Sequence, residues 1–147
     1  MPSIIPSYVY SLFAALIVCT ILVCSCSLST LNLKNEAKKQ QLANINKYVA
    51  TESLTLLTHA AENNQNTIQF LSLPSQVGNE IYWISIAHDS TGAWVESGFG
   101  ATATSSQLRI YIPANIAASG TFISSFGRPA LQCCPDNQTV TLILISE

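Results

Sequence analysis

The feature that most restricts this chain is an uncharged apolar run near its start. Residues 8–28 read YVYSLFAALIVCTILVCSCSL, 21 residues without a charge or a proline. A helix needs about 20 mainly apolar residues to cross the hydrocarbon layer of a bilayer. Within lipid, only a helix satisfies the backbone N–H and C=O groups of an isolated segment. Burying the same run in a soluble core would take more protein than a chain of 147 residues can wrap around it. Pro2 and Pro6 stand at the start, where a helix has N–H groups to spare. Tyr8 and Tyr10 are placed for a headgroup layer. Residues 1–33 are therefore expected to form a single transmembrane helix in contact with membrane lipid.

The segment ahead of the run, MPSIIPS, carries no Lys or Arg. The run is also longer than the ~7–15 residues of a secretory signal. An uncleaved anchor is the expectation. The stretch Val23-Cys24-Ser25-Cys26 loosely resembles a lipobox, which makes lipidation at Cys26 the minor alternative. The flanking charges pull against each other on orientation. Lys34, Lys38 and Lys39 follow the span and would keep the C-terminal side in the cytoplasm. Residues 63–147 are instead rich in Ser, Thr, Asn and Gly, contain no Lys, and carry a glycosylation sequon at Asn137-Gln138-Thr139. Such a surface suits the outside of a cell, and the β-rich part is expected there.

All fourteen charged residues lie between Lys34 and Glu147, and they amount to 10% of the chain. An average soluble domain carries about 25%. The net charge of −2 leaves no basic surplus to neutralise phosphates, so no nucleic-acid partner is expected. High apolarity with few charges also excludes disorder as the main state.

From Lys34 to Ala61 there is no Gly or Pro, and helix-favouring residues dominate. Leu42, Ile45, Val49 and Leu56 recur at steps of three, four and seven and form one apolar stripe, which Ala60 extends. With no breaker after the span, one helix is expected from about Ser7 to Ala61, roughly 80 Å long. Its second half, residues 34–62, needs a partner for the stripe. That partner is either the chain's own β-domain, favoured for Leu56 and Ala60, or a neighbouring subunit, favoured for Leu42 and Ile45.

Residues 63–147 read as short strands rich in β-branched and aromatic side chains: 67–73, 80–88, 93–97, 107–112, 121–126 and 139–145. Pro74, Gly78-Asn79, Asp89 to Gly92, Pro113, Gly120 and Pro135 punctuate them. Strands 80–88 and 93–97 around Asp89 to Gly92 form the clearest hairpin. Within the first of these, Ile81 and Trp83 share one face while Tyr82, Ile84 and Ile86 share the other, so this strand should be covered on both sides. The fold class is α+β: a long helix followed by a small antiparallel β-sandwich or curved sheet.

An uncharged N-terminal hydrophobic helix, an amphipathic continuation and a small β-domain together resemble archaeal type IV pilin-like proteins, including the filament and stator subunits of the archaellum. The stretch LPSQVGNEIYWISIAHDSTGAWVE, residues 73–96, is similar to strand-turn-strand segments of uncharacterised archaeal proteins with that layout. The resemblance implies self-association or contact with other pilus-like or archaellum-like subunits. No basic-Gly peptidase site precedes the apolar run, and no Glu stands near its start. An uncleaved, stator-like or accessory subunit therefore fits better than a filament-forming pilin.

Few residues invite chemistry. His88-Asp89 resembles a base with its orienting carboxylate, but adjacent strand residues face opposite ways. Cys133-Cys134 lacks the spacing of a metal pair. Three states stay open for these two thiols: a bond within the loop, a bond between chains, or free thiols. Trp83, Trp94 and Tyr82 are of the right type for a sugar site, although aromatic residues in strands mostly serve the core. No cofactor, no metal and no catalytic residue is expected. The sequence reads as a structural surface subunit, with a membrane-anchored module that binds a cell-wall or carbohydrate ligand as the alternative.

Overall fold

The computed structural model describes residues 4–63, 65–103, 108–112, 116–136 and 139–146. Helix α1 runs from Ile4 to Asn63, extending the expected helix by a few residues at each end. The absence of Gly and Pro from residues 7–63 accounts for its unbroken length. Two compact units divide the chain, Met1–Ala37 and Lys38–Glu147. The second half of the helix thus belongs to the same unit as the strands.

Seven strands follow: β1 (Thr67–Phe70), β2 (Tyr82–Asp89), β3 (Gly92–Phe99), β4 (Leu108–Ile112), β5 (Ala117–Ile123), β6 (Pro129–Asp136) and β7 (Thr139–Ser146). They form one open sheet in the order β1-β6-β7-β5-β2-β3-β4. Neighbours are antiparallel except β5 and β7, which run parallel with Ala118 opposite Leu142. The α+β class is as expected from the sequence. Of the two forms considered, the chain adopts a single sheet and not a sandwich: its covering layer is helical. The β2–β3 hairpin is the one anticipated, with Asp89 opposite Gly92. Strand β6 was not anticipated, because Pro129, Pro135 and the paired cysteines read as loop. Proline is tolerated at a strand start or where no ladder N–H is needed.

The core lies between residues 42–60 of the helix and one face of the sheet. Leu42, Val49, Leu56 and Ala60 are buried with Tyr82, Ile84, Ile86, Val95, Leu131, Leu142 and Leu144. Steps of seven return nearly to the same side of an α-helix, so Leu42, Val49 and Leu56 form one ridge. In the strands, alternation places the buried even-numbered residues of β2, β5 and β7 and the buried odd-numbered residues of β3 and β6 on the face that meets this ridge. Each large side chain so buried contributes about 1.5–3 kcal/mol. Polar links flank the ridge. Lys38 pairs with Glu80, and its aliphatic stem lies against Gly78 in the tight turn between Val77 and Glu80. Gln69 of β1 donates to the Glu52 carboxylate.

Two glycines fix close approaches. Gly78 has φ +57°, and Asn79 beside it φ +67°, a turn that side chains with Cβ branching resist. Gly120 has φ +128°, and a Cβ there would lie 2.3 Å from the Leu144 carbonyl oxygen. The parallel join between β5 and β7 therefore depends on a missing side chain.

Candidate functional site

Two surfaces stand out, and the first is the apolar half of the helix. Within the unit Met1–Ala37, every side chain described from residue 8 to 37 is exposed, including Tyr8 at 72%, Leu16 at 56% and Leu33 at 70%. Its hydroxyls are satisfied by the helix itself: Thr20 donates to the Leu16 carbonyl at 2.8 Å and Ser27 to that of Val23 at 2.9 Å. Ser29 and Thr30 bond back to Ser25 and Cys26 in the same way. A polar group spent inside the helix can enter lipid at little cost. This helix is long and apolar enough to cross a membrane, compatible with an anchor or a signal sequence. Cys19, Cys24 and Cys26 are free thiols on its surface.

The stripe falls on the inside. Leu42 and Val49 are 0% exposed and Leu56 2%, all within the core shared with the chain's own sheet. Leu42, expected at a subunit contact, is thus used up within the molecule. Ile45 is only half-buried and borders a shallow groove with Gln41, Asn44, Pro74 and Val77. Asn46 is fully buried beside the stripe. Its amide nitrogen reaches the Leu108 carbonyl at 3.4 Å, and its oxygen has no partner among the described residues.

The residues singled out for chemistry each have a place in the fold. Asp89 accepts from the Thr91 hydroxyl and from the backbone N–H groups of Thr91 and Gly92, closing the β2–β3 turn. The Thr91 hydrogen bonds hold its carboxyl below the ordinary range. A nitrogen of the His88 ring lies 2.7 Å from the Ala118 carbonyl, across the strand from any Asp89 contact. Cys133 and Cys134 are free and sit in β6, not in a loop. As neighbours in a strand they point to opposite faces, Cys133 into the core and Cys134 half-exposed, so the geometry does not form a vicinal bond. Burial raises the Cys133 thiol above its usual range. Asn137 of the sequon lies outside the described residues. Among the described residues no cluster of His, Cys, Asp and Glu could hold a metal. A cleft of about 370 Å³ opens between β1, the following loop and the turn after β5. Among the described residues of its lining, which include Phe70, Leu73 and Ser124, Arg128 is the one that is charged.

The second surface is the sheet face turned away from the helix. Register pairs Trp94 with Tyr111 and Glu96 with Arg109 on it. Arg109 lies over the Trp94 ring at 4.5 Å from the centroid and donates to Glu96 at 3.1 Å. Tyr111 meets Trp94 edge-on at 6.1 Å. Hydrogen bonds to Tyr111 and Glu96 raise the Arg109 guanidinium further. Trp83 falls on the Trp94 side by register and Tyr82 on the opposite one, both of them buried, so the three aromatics suggested by the sequence do not form one site. Tyr82 donates its hydroxyl to the Pro74 carbonyl, and burial pushes its phenol up to about 12. The sequence signal for the Arg109 group was the i, i+2 spacing of Trp94-Glu96 and Arg109-Tyr111, legible once β3 and β4 are known to pair in that register.

Comparison with protein-family models, with curated proteins and with solved structures finds no match to this chain.

Proposed function

We propose that this protein is a non-catalytic structural subunit of a membrane-anchored surface assembly, similar in role to pilin-like or archaellum-stator-like proteins. The architecture is pilin-like: a long N-terminal hydrophobic helix and a β-sheet unit. One observation carries the reading. The helix passes without interruption from an apolar, self-satisfied surface at residues 8–33 to the ridge that cores the second unit. An anchor continuous in sequence with the core helix ties the sheet unit to the membrane, as a scaffold part requires. A signal sequence destined for removal needs no such continuation.

The membrane segment acts as an uncleaved single-pass anchor, and the sheet unit works outside the cell. The absence of lysine after Lys47 and the Ser- and Thr-rich strands support that side. The partners are lipid and other subunits, including copies of the same chain. The test is crosslinking of the full chain in its native membrane, followed by mass identification of the products. Adducts of this chain with itself or with one further anchored subunit are expected. A chain that stays uncrosslinked at every spacer length, while turning over a small molecule, would overturn the proposal.

A further inference from the structure

The sheet is open, and among the described strands β1 and β4 each have one hydrogen-bonded neighbour. A strand at an edge turns alternate N–H and C=O groups outward, a template for one strand more. Both edges also carry large apolar side chains that are more than half exposed: Ile68 at 51% and Phe70 at 57% on β1, Tyr111 at 62% on β4. By register all three lie on the side of the sheet away from the helix. We propose that β1 of one copy of this chain pairs antiparallel with β4 of the next, so that one sheet continues from molecule to molecule. This deepens the structural-subunit reading and rests on it.

Strand sense makes the join available. Of the six joins in the sheet, five are antiparallel and one, β5 with β7, is parallel. An odd number of reversals leaves β1 and β4 running in opposite senses. A copy displaced sideways, without being turned over, therefore brings its β1 antiparallel to the β4 of its neighbour, the more stable pairing. Copies anchored in one bilayer share one orientation, so this arrangement is open to them. Were β5 and β7 antiparallel, the two edges would run the same way. Gly120, whose missing side chain permits the parallel join, thus sets the relative sense of the edges.

The chemistry of the edges favours a copy of the same chain. Sideways displacement keeps the faces in line, so Ile68 and Phe70 of one copy come beside Tyr111 of the next. Aromatic pairs and aromatic pairs with β-branched residues are among those that stabilise neighbouring strands. Edges that must stay apart are commonly charged, above all with Lys. Residues 63–79, 97–108 and 110–127 contain no charge at all. Arg109, the one charged residue in the two edge strands, is held by Glu96 and the Trp94 ring of its own chain. A partner of either charge finds nothing to pair with at β1, whereas a neutral apolar edge suits the other edge of this chain. Strands of four and five residues make a short join, and tethering in one membrane supplies the raised effective concentration that it needs. The contact is head-to-tail, so it closes into a ring or continues as an open array.

The experiment uses the full chain in native membranes, with Cys19→Ser, Cys24→Ser, Cys26→Ser and Cys134→Ser. One form carries Ile68→Cys and a second Tyr111→Cys, and a short bismaleimide links thiols that lie close together. Thr55→Cys, at an exposed helix position, gives the rate of chance encounter. Crosslinks are expected between the two forms when they are co-expressed, with like-to-like products no faster than the Thr55→Cys rate. A chain with both substitutions should give a ladder of multimers. Adding Phe70→Lys to the Ile68→Cys form should slow the unlike crosslink at least about threefold, the loss of one cross-strand pair. Its tryptophan-fluorescence melt should be unchanged, since Phe70 is exposed. Unlike crosslinks at the chance rate, like forms that link as fast as unlike ones, or an unlike crosslink indifferent to Phe70→Lys overturns the edge join. If lysine-directed crosslinking of the unaltered chain still yields adducts with itself or another subunit, the structural-subunit reading stands with a different contact surface. If it yields none, both fall.

Discussion

Replacing Gly120 by alanine should separate the two halves of the sheet. The β5–β7 pair is the only parallel join among the described strands, and it links β1-β6-β7 to β5-β2-β3-β4. An alanine Cβ would sit 2.3 Å from the Leu144 oxygen and 2.7 Å from its nitrogen, both backbone atoms of the next strand. Neither can swing aside as a side chain would. The positive φ of +128° adds strain of its own, about 1–3 kcal/mol. Forcing the strands apart adds about 1–3 kcal/mol as an overpacking cost. The sum, roughly 2–6 kcal/mol, takes a large part of the ~5–15 kcal/mol that holds a domain together. Gly100 supplies the control. Its φ is +111°, but a Cβ there meets nothing within 4 Å, so Gly100→Ala carries the strain without the collision. The assay is denaturant unfolding of the full chain in detergent, followed by tryptophan fluorescence. Both tryptophans, Trp83 and Trp94, lie in the sheet, so the apolar helix contributes no signal. Gly120→Ala should lose at least about 1 kcal/mol more than Gly100→Ala, the collision term alone. Equal losses would refute the claim that backbone contact at Leu144 matters.

Four further outcomes are expected. Leu42→Asp should prevent folding of the sheet unit, since its side chain is fully buried and an unpaired carboxylate there costs more than the fold can supply. Ile45→Asp, at the half-buried rim, should fold with a melting temperature within a few degrees of the parent, read by the same fluorescence melt. In an alkaline absorbance titration, one of the five tyrosines should ionise late, near pH 12, and Tyr82→Phe should remove that step. Because its phenol is raised on folding, Tyr82 contributes stability that is complete below pH 10 and lost as the pH climbs toward 12. Mass analysis after alkylation without reduction should find Cys133 and Cys134 as free thiols, with Cys134 modified first under native conditions. A chain lighter by two hydrogen atoms, with neither residue alkylated, would contradict their placement on opposite strand faces.

Much of this architecture was legible because it rests on local rules. The helix could be followed by its lack of breakers, and the β2–β3 hairpin by Asp89 to Gly92 between two apolar strands. Sheet order was not legible. β5 begins with Ala117-Ala118-Ser119-Gly120, residues of weak strand preference, and takes its place from pairing with β2 and β7. β6 was hidden by two prolines, although pairing with β7 along Pro129–Asp136 determines it. The apolar stripe follows from spacing along one helix, but what Leu42 packs on is a tertiary fact: only the sheet's position shows that it is buried in the core. The Arg109 group was missed for the same reason. Its members are paired by strand register, which no spacing within one strand reveals.

The central claim is that residues 1–33 stay attached and hold the sheet unit to a membrane. Alkaline carbonate extraction of membranes containing the native protein, followed by intact-mass measurement, tests it directly. The account expects the chain in the membrane pellet with residues 1–33 still present and no added lipid at Cys26. A chain released into the supernatant, with a mass lacking the apolar segment, would show that the segment is a removed signal and would contradict the anchored-subunit proposal.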